Sequence, residues 1–149
     1  MCDLQIQIQR LRNSDGLELP SYATPASSGM DLIAATDGPL SIKPGKCALI
    51  RTGISIALPF GYEAQIRPRS GLALKHSITV LNTPGTIDSD YRGELGIIII
   101  NHGDKIFTVD RGMRVAQIVF GKVIMASWKE VTKLPISVRD EGGFGSTGL

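Results

Sequence analysis

Seventeen glycines and eight prolines are spread along 149 residues, and together they interrupt every stretch that might otherwise carry a long helix. Inside a helix glycine costs roughly 1 kcal/mol relative to alanine and proline about 3, so a chain punctuated this often is built from short segments. Between the breakers the apolar residues alternate, at Leu4, Ile6 and Ile8, at Ile54, Ile56 and Leu58, and at Tyr62, Ala64 and Ile66. A period of two is that of a strand with one buried face. Turn signals separate these runs at Asp15-Gly16, Asp37-Gly38, Pro44-Gly45, Pro59 to Gly61, His102 to Asp104 and Asp110 to Gly112. Their short spacing predicts an all-β, jelly-roll-like sandwich or barrel. Only Leu72 to His76, behind Gly71, has room for a turn or two of helix.

A chain of this length buries roughly two-thirds of its unfolded surface, enough for one core without disulfides or a structural metal. Cys2 and Cys47 form no C-x-x-C pair, and with only His76 and His102 the chain has no zinc-binding pattern. Sixteen Lys and Arg against fourteen Asp and Glu leave a formal charge of +2, too small and dispersed for binding to polymeric DNA or RNA. A basic stretch followed by an apolar one is absent from the start of the chain, and the strongest apolar run, Ile97 to Ile100, is far too short for a bilayer. The expected compartment is the cytoplasm. That run is also continuous rather than alternating, so both faces of its strand should be covered, by the domain interior or by another copy. Residues 1–135 read as one β-rich domain and residues 136–149 as a flexible glycine-rich arm, which forms no packed element by itself.

Five clusters carry functional groups. The arm has glycines at 142, 143, 145 and 148 that can turn successive N–H groups toward one anion, with Arg139, Ser146 and Thr147 as further donors and Phe144 as a stacking ring. It is not a P-loop, since no Gly-Lys-Ser/Thr follows. Arg67-Pro68-Arg69-Ser70-Gly71-Leu72 places a guanidinium, a hydroxyl and free N–H groups at the junction of a strand and the short helix, where they can converge on a phosphate. Gly85-Thr86-Ile87-Asp88-Ser89-Asp90-Tyr91-Arg92-Gly93, preceded by Asn82-Thr83-Pro84, holds two carboxylates, either of which suits a general base or a divalent-cation partner. Ser28-Gly29-Met30-Asp31-Leu32 puts one carboxylate at the head of an apolar strand, where a structural salt bridge is the commoner use. In Gly112-Met113-Arg114-Val115-Ala116-Gln117 the glutamine is held by backbone groups or aimed at a ligand.

In this order and spacing the five clusters resemble the five motifs of the trimeric deoxyuridine triphosphatase (dUTP diphosphatase) family, over nearly the whole chain. Ser28 stands where alanine is usual and Ser77 where glycine often follows the short helix. The resemblance implies a homotrimer of jelly-roll subunits with shared active sites, hydrolysing dUTP to dUMP and pyrophosphate with Mg²⁺. It assigns Asp88 as the base for in-line attack of water on the α-phosphorus, a choice over Asp90 that residue chemistry alone does not make. It assigns Arg69, Ser70, Gly71 and Gln117 to the phosphates, and the hairpin of residues 78–91, with Asn82, Thr86 and Ile87, to the uracil edge. The resemblance also assigns Tyr91 to a place under the deoxyribose, Arg139, Phe144, Gly145, Ser146 and Thr147 to a closure over the nucleotide, and Asp31 to a contact with the metal through water. The competing readings are a dCTP deaminase-related enzyme, for which no glutamate-centred motif is present, and a nucleotide-binding regulator without turnover.

Overall fold

The computed structural model describes residues 4–143. In chain order the strands are β1 (Gln7–Arg10), β2 (Met30–Ile33), β3 (Leu40–Ile42), β4 (Cys47–Arg51), β5 (Ile54–Ala57), β6 (Tyr62–Arg67), β7 (Ile78–Val80), β8 (Gly85–Ile87), β9 (Gly96–Asn101), β10 (Phe107–Val109) and β11 (Arg114–Lys122). A 3-10 turn (Arg12–Ser14) follows β1, and the short helix α1 (Ser70–His76) follows β6. Ser77, which ends α1, has φ 54° and ψ 34°, the left-handed conformation that a glycine takes at less cost.

The strands form an all-β sandwich. One sheet has the order β2-β11-β6-β8, another β4-β9-β7, and the pairs β1-β5 and β3-β10 complete the walls. Every pairing is antiparallel. The alternating residues of each strand meet in one apolar cluster: Leu32, Ala64, Ile66, Val115 and Ile118 come from the four-stranded sheet, and Ile50, Ile78, Val80, Ile97 and Ile99 from the three-stranded one. Each expected turn signal lies between consecutive elements, as at Pro59 to Gly61 between β5 and β6.

One expectation needs adjusting. The residues around 78–91 do not form a two-stranded ladder: β7 pairs with β9 and β8 with β6, so the chain crosses from one sheet to the other at residues 81–84. Pro84 lacks a ladder N–H, and the Leu81 N–H donates to Ile98 O instead, which keeps the two strands in separate sheets. Within one copy of the chain, the body covers one face of the apolar run of β9. Ile97 and Ile99 are fully buried, whereas Ile98 and Ile100 are half-buried beside Leu49, which is 62% exposed. Beyond β11 the chain leaves the sheets: from 124 to 141 every residue is exposed, Trp128 completely.

Candidate active site

Strand β11 is the organising element, because its register aligns three of the five clusters. Gln117 lies opposite Asp31 on β2 and opposite Arg67 on β6. Past Arg67 the chain turns at Pro68, and Arg69 enters α1 in an extended conformation (φ −94°, ψ 128°). The Arg69 Nε donates to Asp31 Oδ1 at 2.8 Å, and its Nη1 donates to the Arg114 carbonyl at 3.1 Å. Arg114 Nη1 reaches Asp31 Oδ2 at 3.2 Å. Gln117 Nε2 donates to Pro68 O at 3.0 Å, tying β11 to the turn that precedes the helix. A methyl group at Gly29 would overlap Gln117 Oε1, so glycine is the residue that allows strand and glutamine to approach.

The result is a preassembled cationic corner. Asp31 is about three-quarters buried and takes one guanidinium on each oxygen, which holds Arg69 in place while leaving two positive charges against one negative. Ser70 and Gly71 are exposed beside it, and as the first helical residues their N–H groups have no intrahelical acceptor. Arg114 was not assigned a role from sequence, since only the β2-β11 register brings it to Asp31.

The other candidate residues sit elsewhere. Strand β8 places Gly85 opposite Ile66 and Ile87 opposite Ala64, so Asp88 leaves the sheet where β6 begins, while Arg69 lies beyond the end of β6. From Ala64 to Arg67 the strand covers about 10 Å at ~3.3 Å per residue, and the Pro68 turn follows before Arg69. Asp88 is exposed and its side chain makes no hydrogen bond to any described residue. Thr86 is exposed, Ile87 half-buried, and the exposed Asn82 folds its amide over Gly85. The Tyr91 N–H closes a turn on Asp88 O at 3.2 Å and its hydroxyl donates to Glu94 O at 3.1 Å. Arg139 engages its own segment, donating to Gly142 O at 2.7 Å. Phe144, Gly145, Ser146 and Thr147 lie outside the described residues.

One charged cluster was missed altogether. Glu94 accepts from Asn13 Nδ2 and the Gly53 N–H, both at 2.8 Å, and from Arg51 Nε at 2.7 Å. Burial acting alone would raise its pKa, but the hydrogen bonds from Asn13, Arg51 and Gly53 outweigh it and hold the carboxyl below its usual range. Hydrogen bonding to Glu94 in turn raises Arg51. No sequence pattern marks Glu94, because its partners come from distant turns.

A β-sandwich that aligns these motifs on neighbouring strands is the frame of a nucleotide-hydrolysing enzyme, and comparison with known proteins gives the same class. Residues 15–148 match the dUTPase family model. The deoxyuridine 5′-triphosphate nucleotidohydrolases of Rickettsia akari and Rickettsia canadensis are 56% and 58% identical over 145 residues, 97% of this chain and 97% of each relative. Among solved structures, the dUTPase of Staphylococcus bacteriophage 80alpha, a G164S mutant with dUpNHpp, superposes with a TM-score of 0.86 at 25% identity, covering 97% of this chain and 99% of that one. The chain therefore belongs to the dUTPase family, whose activity, that of a dUTP diphosphatase, is the hydrolysis of dUTP.

Proposed function

We propose that this chain hydrolyses dUTP to dUMP and pyrophosphate by in-line attack of water on the α-phosphorus, at sites assembled from more than one copy, so that dUMP is supplied and uracil kept out of DNA. The observation that carries this reading is the placement of β6: one end leads to the cationic corner, the other lies beside Asp88. We assign the Asp88 and the Arg69 that act on one α-phosphate to different copies, because within one chain the length of β6 stands between them.

Each part then has a task. Arg69, with the Ser70 hydroxyl, the Gly71 N–H and Gln117, holds the phosphates and spreads the charge that develops on them, a preorganised arrangement because Asp31 fixes Arg69 beforehand. Asp88, exposed and without a protein partner among the described residues, is free to orient a water and take its proton. Backbone groups near Asn82, Thr86 and Ile87 read the uracil edge. Cytosine offers a donor where uracil offers an acceptor, and a site with unpaired groups rejects such an analogue by ~10⁴-fold. Tyr91 beneath the sugar leaves no space for a 2′-hydroxyl.

The donor set suits a cation that arrives on the nucleotide. No three His, Cys, Asp or Glu side chains gather among the described residues, and both Asp31 oxygens already face guanidinium groups. Mg²⁺ would be held chiefly by the triphosphate, with Asp31 reaching it through water. When bound it supplies neutralisation of phosphate charge.

Two apolar surfaces support assembly into a trimer. Leu49, Ile98 and Ile100 form a sheet face without cover, and an open groove of about 740 Å³ runs past Ile6, Ile8, Tyr22, Met30, Ile56 and Phe120. The exposed arm offers Ile124, Met125, Trp128, Leu134, Ile136 and Val138 as its occupant in a neighbouring copy. From there Arg139 and the glycine-rich segment beyond it would close over the nucleotide and exclude water. Pyrophosphate release measured with dUTP, dCTP, dTTP and UTP tests the reading. Release from dUTP should dominate; comparable kcat/KM for UTP would contradict the role of Tyr91, and ammonia from dCTP would favour the deaminase alternative.

A further inference from the structure

We infer that Glu94 is a positioning residue for ribose discrimination: its carboxylate fixes the backbone carbonyl on which the Tyr91 hydroxyl rests. The inference depends on the sugar-contacting role of Tyr91 given above and adds a residue that does not itself face the nucleotide.

The segment from Asp88 to Leu95 runs between β8, paired with β6 up to Ile87, and the buried Leu95, and its middle is exposed. At its far end Leu95 is completely buried; its N–H donates to Ile54 O at 2.9 Å, and its carbonyl accepts from the buried Thr52 hydroxyl at 2.6 Å. Just before it, the Glu94 carboxylate meets donors from three separate places, the 3-10 turn (Asn13), the last residue of β4 (Arg51) and the β4-β5 turn (Gly53). Charge-assisted hydrogen bonds are about twice as strong as neutral ones, and three of them, with the Arg51 ion pair, restrain one side chain at a point where 84% of its surface is covered.

In the exposed middle the restraints are few. Tyr91 is 44% exposed, and its ring is held by the hydroxyl bond to Glu94 O. Gly93 makes this contact possible, since a methyl group there would overlap the Tyr91 hydroxyl. The Arg92 guanidinium caps the turn by donating to Ser89 O and Tyr91 O at 2.7 and 2.8 Å, which stabilises its shape without tying it to the body. The turn's backbone is tied to the sandwich through β8 as well, but the far end of the Tyr91 ring, its hydroxyl, is held by the Glu94 main chain. Without the carboxylate the turn can shift, and a ring displaced by a fraction of an ångström no longer closes the space beside C2′.

The test compares kcat/KM for dUTP and UTP in pyrophosphate release by the full chain. Glu94→Ala should lower the dUTP:UTP ratio roughly tenfold, within the ~10²-fold that a 1 Å misplacement costs. Glu94→Gln, which keeps the acceptor for Asn13 and Gly53 but not the charge facing Arg51, should recover part of it. Tyr91→Phe removes the same link from the other side, so adding it to Glu94→Ala should cause little further loss. A purely structural glutamate would reduce Tm and lower both kcat/KM values by one factor, leaving the ratio unchanged, and that result overturns the inference. If Glu94→Ala does not fold, Asn13→Ala and Arg51→Met each remove one donor and should lower the ratio about two- to threefold; no change in either also overturns it. Tyr91→Ala separates the two layers. If it leaves the ratio intact, the sugar-contact reading fails first and this inference with it; if it collapses the ratio while the Glu94 variants do not, the inference alone is wrong.

Discussion

The two ends of β6 are built on opposite principles. At its C-terminal end Asp31, Arg69, Arg114, Gln117 and Pro68 satisfy one another before any ligand arrives. Beside its N-terminal end the Asp88 side chain stands exposed with no hydrogen-bond partner among the described residues. The first arrangement suits groups that must stabilise charge without reorganising, the second a group that must bind and deprotonate a water. Rigidity at one end and availability at the other are thus read from the same sheet.

Changes at the available end should have the largest effect. Asp88→Asn keeps the shape but removes the proton acceptor, so kcat should fall by at least ~10²-fold while a non-hydrolysable dUTP analogue still binds by calorimetry. Asp90→Asn should be mild; the reverse order would move the base to Asp90. At the rigid end, Arg69→Ala removes a phosphate donor and leaves Asp31 facing Arg114 alone, for an expected loss of ~10²-fold in kcat/KM with the fold retained by circular dichroism. Gly29→Ala probes rigidity itself. The added methyl forces Gln117 aside, at a cost of about 1 kcal/mol in stability and roughly tenfold in kcat/KM.

The smallest expected effect is one of pH. Glu94 has its pKa depressed in the fold, so the stability it contributes is present above the unfolded value near 4.5 and is lost as pH falls through the lower folded value. Wild type should therefore exceed Glu94→Gln by about 1 kcal/mol in urea unfolding at pH 7 and lose that advantage in acid. A gap that persists unchanged at pH 3 would show that the charge of Glu94 contributes nothing.

Much of the sandwich was legible because strands announce themselves locally. The alternation at Ile54, Ile56 and Leu58 and at Ala64 and Ile66 reports burial residue by residue, and the Gly and Pro turns fall between elements. Helix α1 began two residues earlier than expected, at Ser70, since the Arg69 cap is visible only in its dihedral angles. What stayed hidden is pairing. No local signal says that β7 and β8 belong to different sheets, that Arg114 lies against Asp31, or that Glu94 gathers donors from Asn13, Arg51 and Gly53. The uncovered Leu49, Ile98 and Ile100 face follows the same rule: the apolar run was evident, but which side another element covers depends on the partner strands.

The central claim is that Asp88 and Arg69 serve one active site from different copies of the chain. Co-refolding equal amounts of Asp88→Asn and Arg69→Ala protein, each inactive alone, tests it most directly. In a cyclic trimer a working site needs an intact Asp88 from one copy and an intact Arg69 from another. Random mixing supplies both with probability ½ × ½, so roughly a quarter of the wild-type dUTP hydrolysis should return. If mass spectrometry shows hybrid trimers and the mixture is no more active than its parents, both residues act from the same chain and the shared site is wrong.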